Sequence, residues 1–186
     1  YMSGGGGHMS GDFLAQMART SRERAAQARQ RCPEHSLIAR AHAAPAAPAL
    51  RLSELGFDLI AELKRRSPAL GALEEGGADI AARVRGYAEA GAAAVSVLTE
   101  PSRFDGALDH LQTAARSLAG RIPAMRKDFL VDPYQVYEAR AAGAGGVLVI
   151  LRMLAPAEQR ALLDACAECG LFALLEAFDE ADLARA

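Results

Sequence analysis

The sequence predicts a parallel α/β fold, and three observations support this fold class. From Asp58 onward, short apolar runs alternate with helical patterns, which is typical of repeated βα units around a parallel sheet. Three junctions between a helix and the next strand carry glycine at the same point, namely Gly91, Gly143 and Gly170. Several apolar runs also end in a charged residue, and the carboxyl ends of the strands form the active-site rim of a parallel barrel. We therefore expect a partial (β/α)8 barrel of the TIM type, with about five parallel βα units and an extra N-terminal helix.

The chain divides into three segments by composition. Residues 1–10 contain a glycine run followed by His-Met, which is typical of an expression tag and linker, so we exclude them from the fold. Residues 11–50 are rich in Ala and Arg and are expected to form an N-terminal helical extension and a connector. Residues 51–186 carry the alternating pattern and are expected to form units 1 to 5 of an incomplete barrel.

Two patterns organise the N-terminal extension. Apolar residues at helical spacing predict an amphipathic helix in the first half of residues 11–40. The stretch A-A-P-A-A-P-A at 43–49 predicts an extended connector, because each proline disfavours helix at the residue before it. A short turn or helix near residues 52–56 is expected to lead into the first strand.

The alternating segment predicts five strands and five helices. The strands are predicted at residues 58–64, 93–98, 123–127, 146–151 and 171–176. The helices are predicted near residues 78–90, 105–118, 133–142, 156–169 and 179–186. The junction glycines suit the left-handed conformation that follows many helix ends. Asp132 and Pro133 suit the N-cap and the first position of a helix.

The number of units is smaller than a closed barrel requires. A complete (β/α)8 barrel needs about 250 residues, whereas five units occupy this sequence of 186 residues. An open sheet leaves exposed edges, which favour aggregation or pairing with another chain. We therefore expect a fragment, a truncated product or the ordered part of something longer, which self-associates or pairs with the missing units.

Composition narrows the classes of partner. With a net charge of −2 and a sequence pI of about 6.1, the chain has no overall positive charge that would attract nucleic acid. Trp, whose ring could stack on bases, is absent. No stretch approaches the roughly 18 consecutive apolar residues of a membrane span. Nucleic acid and membranes are therefore disfavoured as partners.

Three cysteines cannot all pair, which favours a reducing cytoplasm. Cys166 and Cys169 match a C-x-x-C spacing, for which redox or metal chemistry is one interpretation. They lie late in a predicted helix without a second pair or a nearby histidine, so packing within the helix is the favoured interpretation.

Charged residues near the ends of predicted strands are the candidate site. On the first strand Glu62 and Lys64 share one face, because residues two apart point the same way. Lys127, at the end of the third strand, shares a face with Phe129, and Glu176 ends the fifth strand. Buried charges must pair, reach water or serve chemistry, so a structural ion-pair network is the alternative to an active site.

Four segments resemble the indole-3-glycerol phosphate synthase family over roughly residues 11–186. They are A-E-L-K-R-R-S-P (61–68), S-V-L-T-E (96–100), R-K-D-F-L-V-D-P-Y-Q-V-Y-E-A-R-A-A-G-A (126–144) and L-L-E-A (174–177). The resemblance implies a lyase of tryptophan biosynthesis that closes an indole ring with loss of carbon dioxide and water. It also implies a small sugar-phosphate substrate and neither a metal nor an organic cofactor. Gly145 and Gly146 are a departure, since the family more often has an acidic residue after Gly-Ala.

The resemblance implies a role for each candidate residue. Lys127 matches the general acid, Lys64 a lysine that contacts substrate and assists dehydration, and Glu176 the carboxylate that handles the proton of the departing water. Glu62 resembles the residue that orients the lysines and the substrate amine. The matching substrate-binding positions are Ser67 near the phosphate, and Phe104, Phe129 and Leu148 in the apolar wall.

The phosphate grip that the family places after strands seven and eight has no counterpart before Ala186. Activity is therefore expected to need the C-terminal units. Two alternatives remain: an inactive barrel fragment that folds by association, and a related ribulose-phosphate barrel of the phosphoribosylanthranilate isomerase type. The isomerase would need a Cys and an Asp as its acid–base pair, and the K-D-F segment argues against it.

Overall fold

The computed structural model describes residues 6–67, 71–72 and 79–186, with side chains for residues 11–66 and 79–186. Its strands are β1 (Ile60–Leu63), β2 (Arg66–Ser67), β3 (Gly71–Ala72), β4 (Ala94–Leu98), β5 (Ala124–Lys127), β6 (Gly146–Ile150) and β7 (Phe172–Glu176). Five of them form one parallel sheet in the order β1-β4-β5-β6-β7, and β2 and β3 form a separate antiparallel pair. The parallel α/β prediction and all five predicted strands are confirmed, with strand ends one or two residues shorter than expected.

Helices connect successive strands and precede the sheet. They are α1 (Gly6–Arg31), α2 (Glu34–Ala43), α3 (Ile80–Glu89), α4 (Pro101–Phe104), α5 (Leu108–Leu118), α6 (Pro133–Ala141), α7 (Pro156–Cys169) and α8 (Glu180–Leu183), with a 3-10 turn at Leu151–Met153. The junction glycines adopt positive φ angles of 91° at Gly91, 92° at Gly143 and 65° at Gly170, as predicted. Asp132 caps α6 by accepting a hydrogen bond from the backbone N–H of Tyr134, also as predicted.

Some sequence predictions were wrong in detail. The extension forms two helices, since α2 follows α1 after Pro33, and the connector begins at Ala44. The helix expected at 105–118 starts at Leu108, because Asp105 adopts a left-handed φ of 51° and ends the short α4 first. Of the turn or helix predicted near residues 52–56, the structure has a bend at residues 54–56 and not a helix. Helix α1 begins at Gly6, inside the segment assigned to a tag and linker, and that assignment stays a prediction.

The sheet separates two hydrophobic clusters, because alternate residues of each strand point to opposite faces. The larger cluster lies between the sheet and helices α3, α5, α6 and α7, and contains Val95, Val97, Val147 and Val149 of the strands. The smaller cluster lies on the inner face and is closed by α1. Its buried members are Leu14, Met17, Met125, Phe129, Leu148 and Ile150. Helix α1 therefore covers the face that a barrel would enclose.

Both edges of the sheet expose apolar side chains. Before β1, Leu55 is 91% exposed and Phe57 is 82% exposed. At the other edge, Leu174 of β7 and Phe178 are also exposed. Such exposed apolar surfaces are unusual for an isolated monomer.

Candidate active site

A cavity of about 260 Å³ lies at the carboxyl ends of the strands. Four strands and helix α1 contribute to its wall, which is mainly apolar. Its lining consists of Phe13, Leu14, Leu98, Glu100, Phe104, Lys127, Asp128, Phe129, Leu148, Ile150, Glu176 and Phe178. The structure thus brings together five of the eight predicted site residues in one cavity, and the rim is where a parallel barrel carries its chemistry.

Glu62 links two lysines at the rim of this cavity. Its Oε1 accepts a hydrogen bond from Lys64 Nζ at 2.8 Å, and its Oε2 accepts one from Lys127 Nζ at 2.5 Å. Burial by itself raises the pKa of Glu62, but the hydrogen bonds from Lys127 and Lys64 outweigh it and leave the pKa below its ordinary value. The carboxylate therefore stays ionised, and the three groups carry a formal charge of +1.

These two lysines are the only lysines in the sequence, which also contains 19 arginines. An ammonium can donate a proton at accessible pH, whereas a guanidinium is effectively always protonated. Their side chains are 31% and 38% exposed, and Lys127 itself lines the cavity. Both side-chain amines of the chain therefore lie at one site.

Aromatic rings form the wall beside Lys127. Phe129 meets Phe13 edge to face at 5.8 Å between centroids, with an interplanar angle of 79°. Phe104 lies on another side of Phe129, tilted by 30° at 6.5 Å. Leu148 and Ile150 complete this wall from β6. A flat aromatic ligand fits such a surface, because it buries apolar area against rings and aliphatic groups.

Glu176 faces the cluster from the opposite edge of the sheet. It ends β7 in register with Ile150 of β6, and it lines the same cavity as Lys127. The site thus places ammonium groups on one side of an apolar cavity and a carboxylate on the other. That separation allows one group to donate a proton while the other accepts one.

Ser67 is the site residue that was predicted near the phosphate. Its backbone lies in β2, but its side chain is outside the described residues. Next to it, Arg66 pairs with Asp105 at 3.7 Å, and Arg65 lies 3.3 Å from the ring of His110. These contacts tie the segment after β1 to the segment after β4.

Sequence reasoning missed several residues of the cavity. Phe13 and Leu14 come from α1, and the helical spacing that revealed their apolar face gives no information about what the face covers. Glu100 and Asp128 belong to segments that carried the resemblance, yet no role was predicted for them. Glu100 is buried and caps α4 by accepting hydrogen bonds from Ser102 N and Arg103 N. It thereby fixes the helix that ends in Phe104.

The cysteines lie away from this cavity. Burial raises the pKa of Cys166 to about 12 and also raises the pKa of Cys169, so neither is an activated thiol. In the described part of the chain, His, Cys, Asp and Glu nowhere form a group of three that could hold a metal ion. The described helices also include none that is long and apolar enough to cross a membrane.

Comparisons with known proteins point to one family. A sequence profile of the family "Indole-3-glycerol phosphate synthase" matches residues 14–186. The chain is 45% identical to the indole-3-glycerol phosphate synthase of Salinibacter ruber over 139 residues, which cover 75% of this chain and 51% of that protein. It is 42% identical to indole-3-glycerol phosphate synthase 2 of Streptomyces coelicolor over 179 residues, covering 94% of this chain and 67% of that protein.

The chain spans about half to two thirds of the length of these relatives. The match covers nearly every element of the fold, including all strands of the sheet and all residues of the cavity except Phe13. The resemblance seen in the sequence is therefore confirmed, and the chain belongs to the indole-3-glycerol phosphate synthase family.

Proposed function

We propose that this chain carries the acid–base groups of an indole-3-glycerol phosphate synthase, a carboxy-lyase. Its substrate is 1-(2-carboxyphenylamino)-1-deoxyribulose 5-phosphate, and its product is indole-3-glycerol phosphate. The observation that carries the proposal is the position of Lys127, which lines an aromatic cavity and donates a hydrogen bond to Glu62. The ring of the substrate would lie against Phe104, Phe129 and Leu148, with its ketone toward Lys127.

The first step closes the five-membered ring. The ring carbon that bears the carboxylate attacks the ketone carbon, and the ketone oxygen takes a proton from Lys127. The bond to the carboxylate then breaks, carbon dioxide leaves, and the electron pair of that bond restores the aromatic ring. Glu62 holds both ammonium groups, so Lys64 lies beside Lys127 at the anionic side of the substrate.

The second step removes water. The hydroxyl formed in the first step departs as water with the assistance of Lys64, and the adjacent carbon loses a proton as the indole double bond forms. Glu176 handles the proton of this dehydration from the opposite edge strand. The sum of the two steps is condensation, decarboxylation and dehydration without net oxidation, so neither an electron acceptor nor a metal is required by the chemistry.

The test is the Lys127→Ala variant in protein extended to the length of the relatives. Loss of the general acid is expected to lower turnover by at least about 100-fold, measured by the fluorescence of the indole product. Arg121→Ala is the control, because Arg121 lies at the surface in an exposed pair with Glu89 at 3.5 Å. Near-wild-type turnover of Lys127→Ala, with an unchanged circular dichroism spectrum, would refute the assignment.

Amine labelling gives a second test that does not require turnover. Because Lys64 and Lys127 are the only lysines, reductive methylation followed by mass spectrometry reports on this site and the N-terminus alone. A substrate analogue bound in the cavity is expected to protect both lysines. Unchanged labelling at saturating analogue would contradict the proposed binding mode.

The open sheet supports a proposal about partners. We propose that the edges at β1 and β7 pack against further polypeptide in the cytoplasm, either another copy or the missing barrel units, because Leu55, Phe57 and Phe178 are exposed there. Sedimentation velocity of this chain is expected to show a species that grows with concentration. The Phe57→Ser variant should weaken this association, and a monomer at every concentration would argue against the proposal.

A further inference from the structure

Asp128 follows Lys127 directly, and its carboxylate is completely buried. Thr99 Oγ1 and Arg126 Nη2 donate hydrogen bonds to its Oδ2 at 2.8 and 3.1 Å, and the Phe129 N–H donates one to its Oδ1 at 2.8 Å. Burial by itself raises the pKa of Asp128, but Arg126, Arg24 and Thr99 overcome it and hold the pKa well below the ordinary value. Asp128 is therefore a fixed anion within the fold.

Helix α1 supplies the remaining partner of this anion. Arg24 binds Asp128 through both terminal nitrogens, at 2.8 and 3.1 Å, in a bidentate pair. One turn earlier on α1, the Ser21 hydroxyl donates to the backbone oxygen of Phe129 and accepts from Gln135 Nε2 at 2.9 Å. Helix α1 is thus attached to the segment that begins immediately after Lys127.

A second pair lies further along the same two segments. Arg29 binds Asp132 through both terminal nitrogens, at 2.7 and 3.2 Å. This pair is partly exposed, with side-chain exposures of 36% for Arg29 and 28% for Asp132, so solvent screens it more than the pair at Asp128. The buried polar contacts of α1 are therefore those of Ser21 and Arg24, beside the apolar contacts of Leu14 and Met17.

The other end of α1 reaches the cavity. Phe13 lies three helical turns before Arg24, where its ring packs edge to face on Phe129, and Leu14 lines the same wall. Phe13 and Leu14 lie far along the sequence from the strands that carry Lys127 and Glu176. Its position relative to the lysines depends on how α1 docks.

We propose that Arg24 and Asp128 are a positioning pair that fixes helix α1 over the cavity and so sets the aromatic side of the site. The pair does not touch the reacting atoms. It acts through Phe13 and Leu14, which hold the ring of the substrate, so the part of the inference that concerns substrate rests on the proposed function. Arg126 and Thr99 keep Asp128 bonded when Arg24 is removed, and the sheet therefore stays intact in that variant.

Hydrogen exchange of α1 in the chain as it stands tests the docking without any turnover. Arg24→Ala is expected to accelerate exchange of the α1 amides at least about tenfold, because a charge-assisted bidentate bond is lost. Arg24→Lys should recover part of the protection, since an ammonium makes a single contact where the guanidinium makes two. Arg22→Ala is the matched control, because Arg22 lies on the same helix in an exposed pair with Glu158. Equal exchange in Arg24→Ala and wild type would overturn the proposal, as would an equal effect of Arg22→Ala.

Binding and kinetics test the link from docking to the site. With N-phenylanthranilate as a probe of the aromatic wall, Arg24→Ala is expected to raise Kd about tenfold. In protein that turns over, the variant should raise KM by a similar factor and change kcat by less than about threefold. A fall in kcat at constant KM would instead place the pair in the chemistry and overturn its positioning role. Absence of wild-type turnover would count against the proposed function, while hydrogen exchange would still decide the docking of α1.

Discussion

Replacement of Gly146 by alanine tests how the strands pack at the base of the cavity. Gly146 begins β6, and its partner in register on β7 is Phe172. A Cβ at position 146 would lie 2.5 Å from both Cε atoms of the Phe172 ring, well inside the distance that real Cβ atoms keep. The partly buried ring packs against the inner cluster that contains Met125 and Leu148. The variant must therefore displace Phe172 or separate β6 from β7.

The expected loss of stability follows from two opposing terms. Overpacking of a filled core costs about 1–3 kcal/mol, and the gain from replacing glycine with alanine in a regular element is roughly 0.5–1 kcal/mol. The net loss in the free energy of unfolding is therefore about 1–2 kcal/mol, which corresponds to a lowering of Tm by about 2–8 °C for a chain of this size.

Thermal and urea unfolding followed by far-ultraviolet circular dichroism measure this loss, since the protein has no tryptophan. Gly86→Ala is the matched control: Gly86 lies inside α3, and a Cβ there meets nothing within 4 Å. Gly86→Ala should raise the free energy of unfolding by up to about 1 kcal/mol, so the same substitution is expected to have opposite effects on stability at the two positions. In a Phe172→Leu background, Gly146→Ala should cost less than about 0.5 kcal/mol, because the ring it strikes is gone. A stable Gly146→Ala variant, or an undiminished cost in that background, would refute the packing argument.

Three further outcomes follow from the structure. Because the pKa of Asp128 is low in the folded chain, the unfolded chain binds more protons than the folded chain near and below pH about 3.9, the ordinary aspartate pKa. The stability that ionised Asp128 contributes is therefore present at neutral pH and is lost as the pH falls below that value. Urea midpoints should therefore fall less steeply with acid in Asp128→Asn, and parallel profiles would contradict the assignment. Cys166, whose pKa burial raises to about 12, should resist iodoacetamide at pH 8 in native protein and react in urea, as mass spectrometry would show. Asp132→Ala should lower stability by about 1–2 kcal/mol through loss of the cap on α6 and of the pair with Arg29, while Asp132→Asn, which can still cap, should lose less.

The parallel sheet could be predicted from the sequence because its signals are local. Apolar runs, junction glycines and the capping pair at Asp132 and Pro133 each act within a few residues, and each matches an observed strand or helix end. The ribbon of β2 and β3 and the short α4 were missed, since two to four residues carry too little periodicity. Asp105 adopts a left-handed conformation between α4 and α5, which was not predicted because the residue is not a glycine.

The candidate site could be predicted only in part. The shared faces of Glu62 with Lys64 and of Lys127 with Phe129 follow from strand parity, and the structure places them as parity requires. The wall from α1 could not be predicted in this way. The charge of Arg24 would predict a solvent-facing position on an amphipathic helix, and its partner Asp128 is 104 residues away. Long-range pairs of this kind leave no periodic signal in a single sequence.

The departure at Gly145 has a physical basis in the fold. A Cβ at Gly145 would lie 2.7 Å from Pro123 Cβ and 3.1 Å from the backbone oxygen of Pro48, so the connector after α2 packs directly on this glycine. An acidic side chain, which the family resemblance would place here, needs that space. The connector can therefore approach this closely because residue 145 has no side chain.

The meeting of Glu62 with Lys127 is a consequence of strand order and side-chain length. Residue Glu62 pairs in register with Ser96, and Ser96 pairs with Met125, so Lys127 lies one inward-facing position beyond the level of Glu62 and two strands across. The ideal spacings are about 3.3 Å per residue along a strand and 4.8 Å between strands, so the two backbones are separated by more than 10 Å. Only a long pair such as lysine and glutamate closes that gap, which it does at 2.5 Å. Since Lys64 reaches the other oxygen of the same carboxylate from two residues away, one glutamate fixes both amines that the chain possesses.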